Sequence, residues 1–120
     1  MKIKTSILIG GALNWAVIVA EGLESDVRWL SCALWDHMLE EWVDYSTDGS
    51  RSMPIIEREL ILLDGVNIVG PRNWSARICK RHLGESDIIA NGHTALIAAM
   101  RCHVINKLGN EIEIPSEILH

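Results

Sequence analysis

Phenylalanine is missing from this chain, and tyrosine occurs only once. Any core must therefore be filled by Ile, Leu, Val and the five Trp. Cysteine occurs three times, at Cys32, Cys79 and Cys102, an odd count without regular spacing. That rules out a fully paired disulfide framework and fits reduced thiols. A Gly-rich phosphate loop is absent, as is a nucleophile elbow. The longest apolar run, ILIGGALNWAVIVA, is too short to span a bilayer. Preceded by MKIKT, it imitates a secretory signal, but cleavage after Ala20 would put Ile18 where a small side chain is needed. The expected location is a reducing cytosol, with no membrane association.

At 120 residues, 48% of them hydrophobic, the chain suits one globular domain over residues 1–120. A net charge of −5 argues against a general nucleic-acid binder, whose field would be basic. The distribution is uneven. Pro71 to His82 holds Arg72, Arg77, Lys80 and Arg81 with no acid, whereas Asp36 to Asp48 holds five acids and no Lys or Arg. A bipolar molecule is expected.

The clearest element is Thr94 to Gly109, an uninterrupted helical composition with Ile97, Met100, Val104 and Leu108 on one face. His103, Asn106 and Lys107 fall towards the opposite face, and Arg101 lies at the core boundary. A first helix should run from a cap at Thr5 or Ser6 to Glu21, stopped by Gly22. It is apolar nearly all round, so Asn14 should be a satisfied core amide and Gly10 and Gly11 should permit a close approach. Glu24 to Tyr45 fits no single period, with strand favoured at its start. Ser46 to Met53 reads as loop, with Pro54 holding Met53 extended. Asp64-Gly65 predicts a hairpin turn between strands at Glu59 to Leu63 and Val66 to Val69. Trp74, Ala76 and Ile78 alternate with Ser75, Arg77 and Cys79, as in a half-buried strand. His82 to Gly92 reads as polar loop, and Glu111 to Ile114 as a final strand with Ile112 and Ile114 inward. The expected architecture is α+β, with two main helices packed on one side of a small, mainly antiparallel sheet.

Three segments in this order, MKIKTSILIGGALNWAVIVAEG, DYSTDGSRSMPIIERE and HTALIAAMRCHVINKLGNEIEIP, resemble the NinX-like small accessory proteins of tailed phages and prophages. The chain departs from that pattern in lacking a Trp before Pro54-Ile55-Ile56, in having Ala95 in place of a Pro, and throughout Arg28 to Glu41. The resemblance implies a phage or prophage origin and the bacterial cytoplasm. It brings no reaction and no cofactor with it.

Read for chemistry, the residues give several candidates. Cys79 and His82 have a C-x-x-H spacing and Cys102 adjoins His103, yet no second spaced pair completes a metal set, so no metal is expected. Cys79 lies among Arg77, Lys80 and Arg81, which would activate a thiol, but it has no assigned base. The basic stretch with Trp74 could bind an anion or single strand, although alternation buries that ring and makes a solvated edge the simpler reading. Finally, Glu57, Glu59 and Arg101 should meet in a structural salt bridge. In a functional version Arg101 holds an anionic ligand while Tyr45 and Glu57 shape the pocket. The expected function is binding without catalysis, as a homodimer and through a host or phage protein partner. The alternatives are sequestration of a nucleotide-like defence molecule by Arg72, Arg77 or Arg101, and a small hydrolase or nuclease using His82 or His93 with Glu57.

Overall fold

The structure is a computed structural model, and it describes residues 1–30, 33–66 and 73–119, with the side chain of Val66 left aside. Its architecture is α+β. Three α-helices, α1 (Gly10–Glu21), α2 (Gly49–Arg58) and α3 (Ala95–Leu108), pack with three small antiparallel sheets. β1 (Lys2–Lys4) pairs with β8 (Glu111–Glu113). β2 (Val27–Leu30), β3 (Ala33–Asp36) and β4 (Glu41–Val43) form a meander. β5 (Leu62–Val66), β6 (Asn73–Ile78) and β7 (Ile88–Gly92) form the third sheet. In place of the expected two helices over one sheet, the described residues form three α-helices and three sheets.

α3 is the central element. Thr94 caps it, its hydroxyl oxygen accepting from the Ile97 amide at 3.2 Å. The expected stripe is buried at Ile97, Met100 and Val104, but Ala98, Ala99, Cys102 and His103 are fully buried as well. The third sheet covers one side, while α1 and α2 approach the other. His103 is therefore internal, contrary to expectation. A helix enclosed on both sides leaves no outward face for it.

Small residues set the distance between α3 and the third sheet. Ala76, Ala90 and Gly92 occupy the sheet's inner face, and a Cβ on Gly92 would lie 2.7 Å from the Ala98 amide nitrogen. The expected alternation in β6 holds, with Ala76 and Ile78 buried and Arg77 exposed. Ile112 and Ile114 point inward, as expected.

Several boundaries differ from expectation, each for a local reason. The segment Thr5–Ile7 is a 3-10 turn, and α1 begins only at Gly10, with φ +59. Thr5 instead donates its hydroxyl to the Gly109 carbonyl at 2.8 Å, tying the N-terminus to the end of α3. Gly22 does end α1, in the left-handed conformation. Gly11 does permit a close approach, because a Cβ there would lie 3.2 Å from the Trp29 ring. The stretch from Gly49 to Arg58 is a helix despite Pro54. Asp48 caps it, Ser52, Ile55 and Ile56 are buried, and the carbonyl of Ser50, orphaned by the proline, belongs to an exposed residue.

Helix α2 also removes Glu59 from the expected strand. Asp64-Gly65 is not a turn. Both residues lie inside β5, opposite Ser75 and Trp74, and Gly65 has no positive φ. Without a side chain, Gly65 leaves room for the Trp74 ring on the same face. The remainder of the expected second strand, through Val69, lies outside the described residues. The expected loop from His82 to Gly92 contains β7, whose Ala90 and Gly92 are buried.

Candidate functional site

The helix ends converge on a network of charged side chains. Glu21 at the end of α1 accepts from Arg58 Nη1 and Nη2 at 3.0 and 2.8 Å, and from His103 Nε2 at 3.2 Å. Arg58 also donates to Glu59 at 2.9 Å, and Lys107 Nζ reaches Glu59 at 3.0 Å. Burial works to raise the Glu21 and Glu59 carboxyls, but their cationic partners hold both below the usual carboxylate value. Burial depresses the His103 imidazole despite Glu21 beside it. His103 is wholly enclosed, and its Nδ1 has no hydrogen-bond partner among the described residues. Such a ring cannot reach a substrate. The cluster holds three helices together.

A second polar knot pins the segment before α2 to α1. Asn14 Oδ1 accepts from the amides of Tyr45 and Ser46 at 2.9 and 3.0 Å, so the expected core amide is satisfied. Asp44 accepts from Ser46, from the Thr47 amide and hydroxyl, and from Asn14. Burial works to raise this carboxyl, but those bonds hold it down and ionised. A cleft of about 320 Å³ opens beside it, walled by Gly10, Gly11, Trp42 and Thr47.

Arg101 does not meet Glu57 or Glu59. Its Nε donates to the Leu8 carbonyl at 2.8 Å and its Nη1 to the Asn91 carbonyl at 2.9 Å, linking the entry to α1 with β7. The expected salt bridge fails because Glu57 and Glu59 belong to α2 and its cap. There Glu57 is exposed and Glu59 is committed to Arg58 and Lys107. Tyr45 is buried, with Arg51 stacked 5.8 Å from its ring centroid. Burial raises its phenol. Arg72 lies outside the described residues. Among the described residues, the candidate ligand side chains are thus not gathered into one pocket.

Local pairing weakens the expected positive pole, while most acids of the acidic stretch bond to neutral donors and keep their charge. Asp87 receives Arg81 at 3.5 Å and the Lys80 amide at 3.0 Å, while Glu85 lies 3.8 Å from Lys80. Among the described residues of the basic stretch, Arg77 alone of the cations has no ion pair. It stands mid-sheet on the outer face, between Leu62 and Ile89, with clefts of about 490 and 210 Å³ on either side. In the acidic stretch, Asp36 caps the turn at Met38 and Leu39, Asp48 caps α2, and Glu41 pairs with Arg51. Glu40 has no partner among the described residues.

Glu40 belongs to an exposed apolar patch that the sequence did not reveal. Met38, Leu39 and Trp42 are 68%, 64% and 54% exposed at the β3–β4 turn. Trp42 meets Trp35 edge to face with ring centroids 4.8 Å apart, and Arg28 stands opposite Trp35. The signal lay in the cross-strand register, which no single period in this stretch discloses.

Among the described residues no group of His, Cys, Asp and Glu could hold a metal. Cys79 is exposed, while Cys102 is buried and its thiol is pushed up to about 11. His82 and His93 are exposed in separate segments, and neither hydrogen-bonds to a carboxylate among the described residues. No described helix is long and apolar enough to cross a membrane.

Among curated proteins nothing matches the chain. The family model described as Bacteriophage P22, NinX matches residues 4–107, a span containing the helix-end network, the Asn14–Asp44 knot and both exposed faces. The chain therefore belongs to the Bacteriophage P22 NinX family.

Proposed function

We propose that this phage protein is an accessory factor acting in the bacterial cytoplasm by binding another protein rather than by catalysis. The observation that carries this reading is the patch of Arg28, Trp35, Met38, Leu39 and Trp42 on the β2–β4 sheet. Trp, Met and Arg are the residue types enriched in protein interfaces, and here they form one exposed cluster. Of the groups suited to acid–base chemistry, His103 and Glu21 are engaged in the helix-end network and Asp44 in the loop pin, while His82 and His93 stand in separate segments.

Affinity capture from infected cells tests the reading. The native protein should retain a specific partner that a Met38→Ser, Leu39→Ser variant loses while keeping its circular dichroism and melting temperature. Equal capture by both would overturn it. Among the described residues the nucleotide alternative rests on Arg77, since Arg101 donates to carbonyls. A melting-temperature rise with cyclic or linear nucleotides that Arg77→Ala abolishes would favour that alternative instead.

A further inference from the structure

We infer that the exposed β3–β4 turn of one molecule docks on the outer face of the β5–β6–β7 sheet of a second copy. This rests on the reading of the turn as a binding surface, and it names one occupant for it. The two faces complement each other in type. The turn offers Met38, Leu39 and Trp42 around the unpaired Glu40. The sheet offers Leu62 and Ile89, 58% and 50% exposed, around Arg77, which has no ion pair among the described residues.

The cross-strand register sets Leu62, Arg77 and Ile89 in one row, so the guanidinium rises from the middle of an apolar strip. The clefts flanking that row give side chains from outside somewhere to enter. A planar guanidinium can accept a carboxylate in its fork and stack on an indole, and Glu40 and Trp42 supply both partners. Glu85 and Asp87 lie against Lys80 and Arg81, and Asp64, which lines the smaller cleft beside Arg77, makes no ion pair with it. Arg51 likewise engages Glu41 and leaves Glu40 open. At a net charge of −5, copies of this chain repel one another in general, so association needs a local match of this kind.

Two different patches meet in this contact, and that makes a sharp test possible. Sedimentation velocity across the micromolar range should show self-association of the native protein. Glu40→Arg and Arg77→Glu should each weaken it about tenfold, with melting temperatures unchanged because both side chains are exposed and unpaired. An equimolar mixture of the two variants should associate again, since each supplies the face complementary to the other's altered one. A native protein that stays monomeric overturns the proposal. So do single variants that associate as the native protein does, or a mixture that stays dissociated. Partner capture by a strictly monomeric protein would sink this contact alone, whereas self-association without a captured partner would sink the foreign-partner reading alone.

Discussion

Arg58 and Arg77 are both arginines at the surface of a small domain, and their surroundings are opposite. Arg58 closes a bidentate pair with Glu21 and a further bond to Glu59, in a cluster that reaches the enclosed His103. Arg77 has two apolar neighbours, a cleft on each side and no partner among the described residues. The helix ends spend their charges internally, where partial burial strengthens each bond. The outer sheet face and the β3–β4 turn leave Arg77 and Glu40 without ion pairs among the described residues, beside exposed apolar side chains. The difference separates residues that build the molecule from residues available to a partner.

Substitutions on both sides can break that comparison, and the largest effect is expected in the core beneath the network. Met100→Ala, at a fully buried position on α3, should cost roughly 3 kcal/mol by denaturant unfolding. A loss no greater than that of a surface substitution would show α3 to be less central than described.

Arg101→Ala should cost about 2 kcal/mol, because it leaves the Leu8 and Asn91 carbonyls without their charged donor. Lowered melting temperature with intact binding would assign Arg101 to structure. Lost binding at an unchanged melting temperature would move it to the exposed class.

Glu21→Gln should cost about 1.5 kcal/mol and make the acid limb of the stability curve shallower. The signs can be worked out group by group. Glu21 and Glu59 sit below their ordinary carboxylate value of 4.5, so they stabilise the fold above it and lose that contribution as pH falls through their folded values. The depressed His103 imidazole stabilises above 6.5 and is lost on further acidification. The raised Cys102 thiol stabilises below 9.0, and its contribution disappears as pH climbs to about 11. Stability should therefore plateau between 6.5 and 9.0 and fall on both sides. Urea unfolding across pH checks this, and stability that grows on acidification from neutrality would contradict it.

The smallest expected effect sharpens the contrast most. Leu62→Ser should change stability by less than about 0.5 kcal/mol, because the side chain is 58% exposed. Sedimentation should nevertheless detect weakened self-association. A large stability loss would place Leu62 with the structural residues.

The legible parts of the chain were those whose signal is local. The face of α3 carrying Ile97, Met100 and Val104, the alternation of Trp74, Ala76 and Ile78, and the stop at Gly22 could all be read from neighbours a few residues away. Local signals misled where a distant partner overruled them. Asp64-Gly65 has the composition of a turn, but β6 pairs with it throughout and the Trp74 ring lies over the glycine. Pro54 suggests a break, but Asp48 caps the helix and its buried Ile55 and Ile56 hold it against the core. The candidate site was less legible than the fold. Arg77 could be named from its stretch, but its isolation depended on where Glu85 and Asp87 turned. Trp42 and Met38 gave no sign of exposure in a segment without a period.

By itself the sequence determined the α+β class, the long final helix, the apolar first helix with its buried Asn14, and the membership of a phage family. Each follows from composition, short-range periodicity or continuous motifs, which survive without knowledge of the fold. Only the tertiary structure decided which charges cancel. Pairing between Arg58 and Glu21, or between Arg101 and the Leu8 carbonyl, joins residues far apart in the chain, and its energy depends on distance and burial that no local pattern carries.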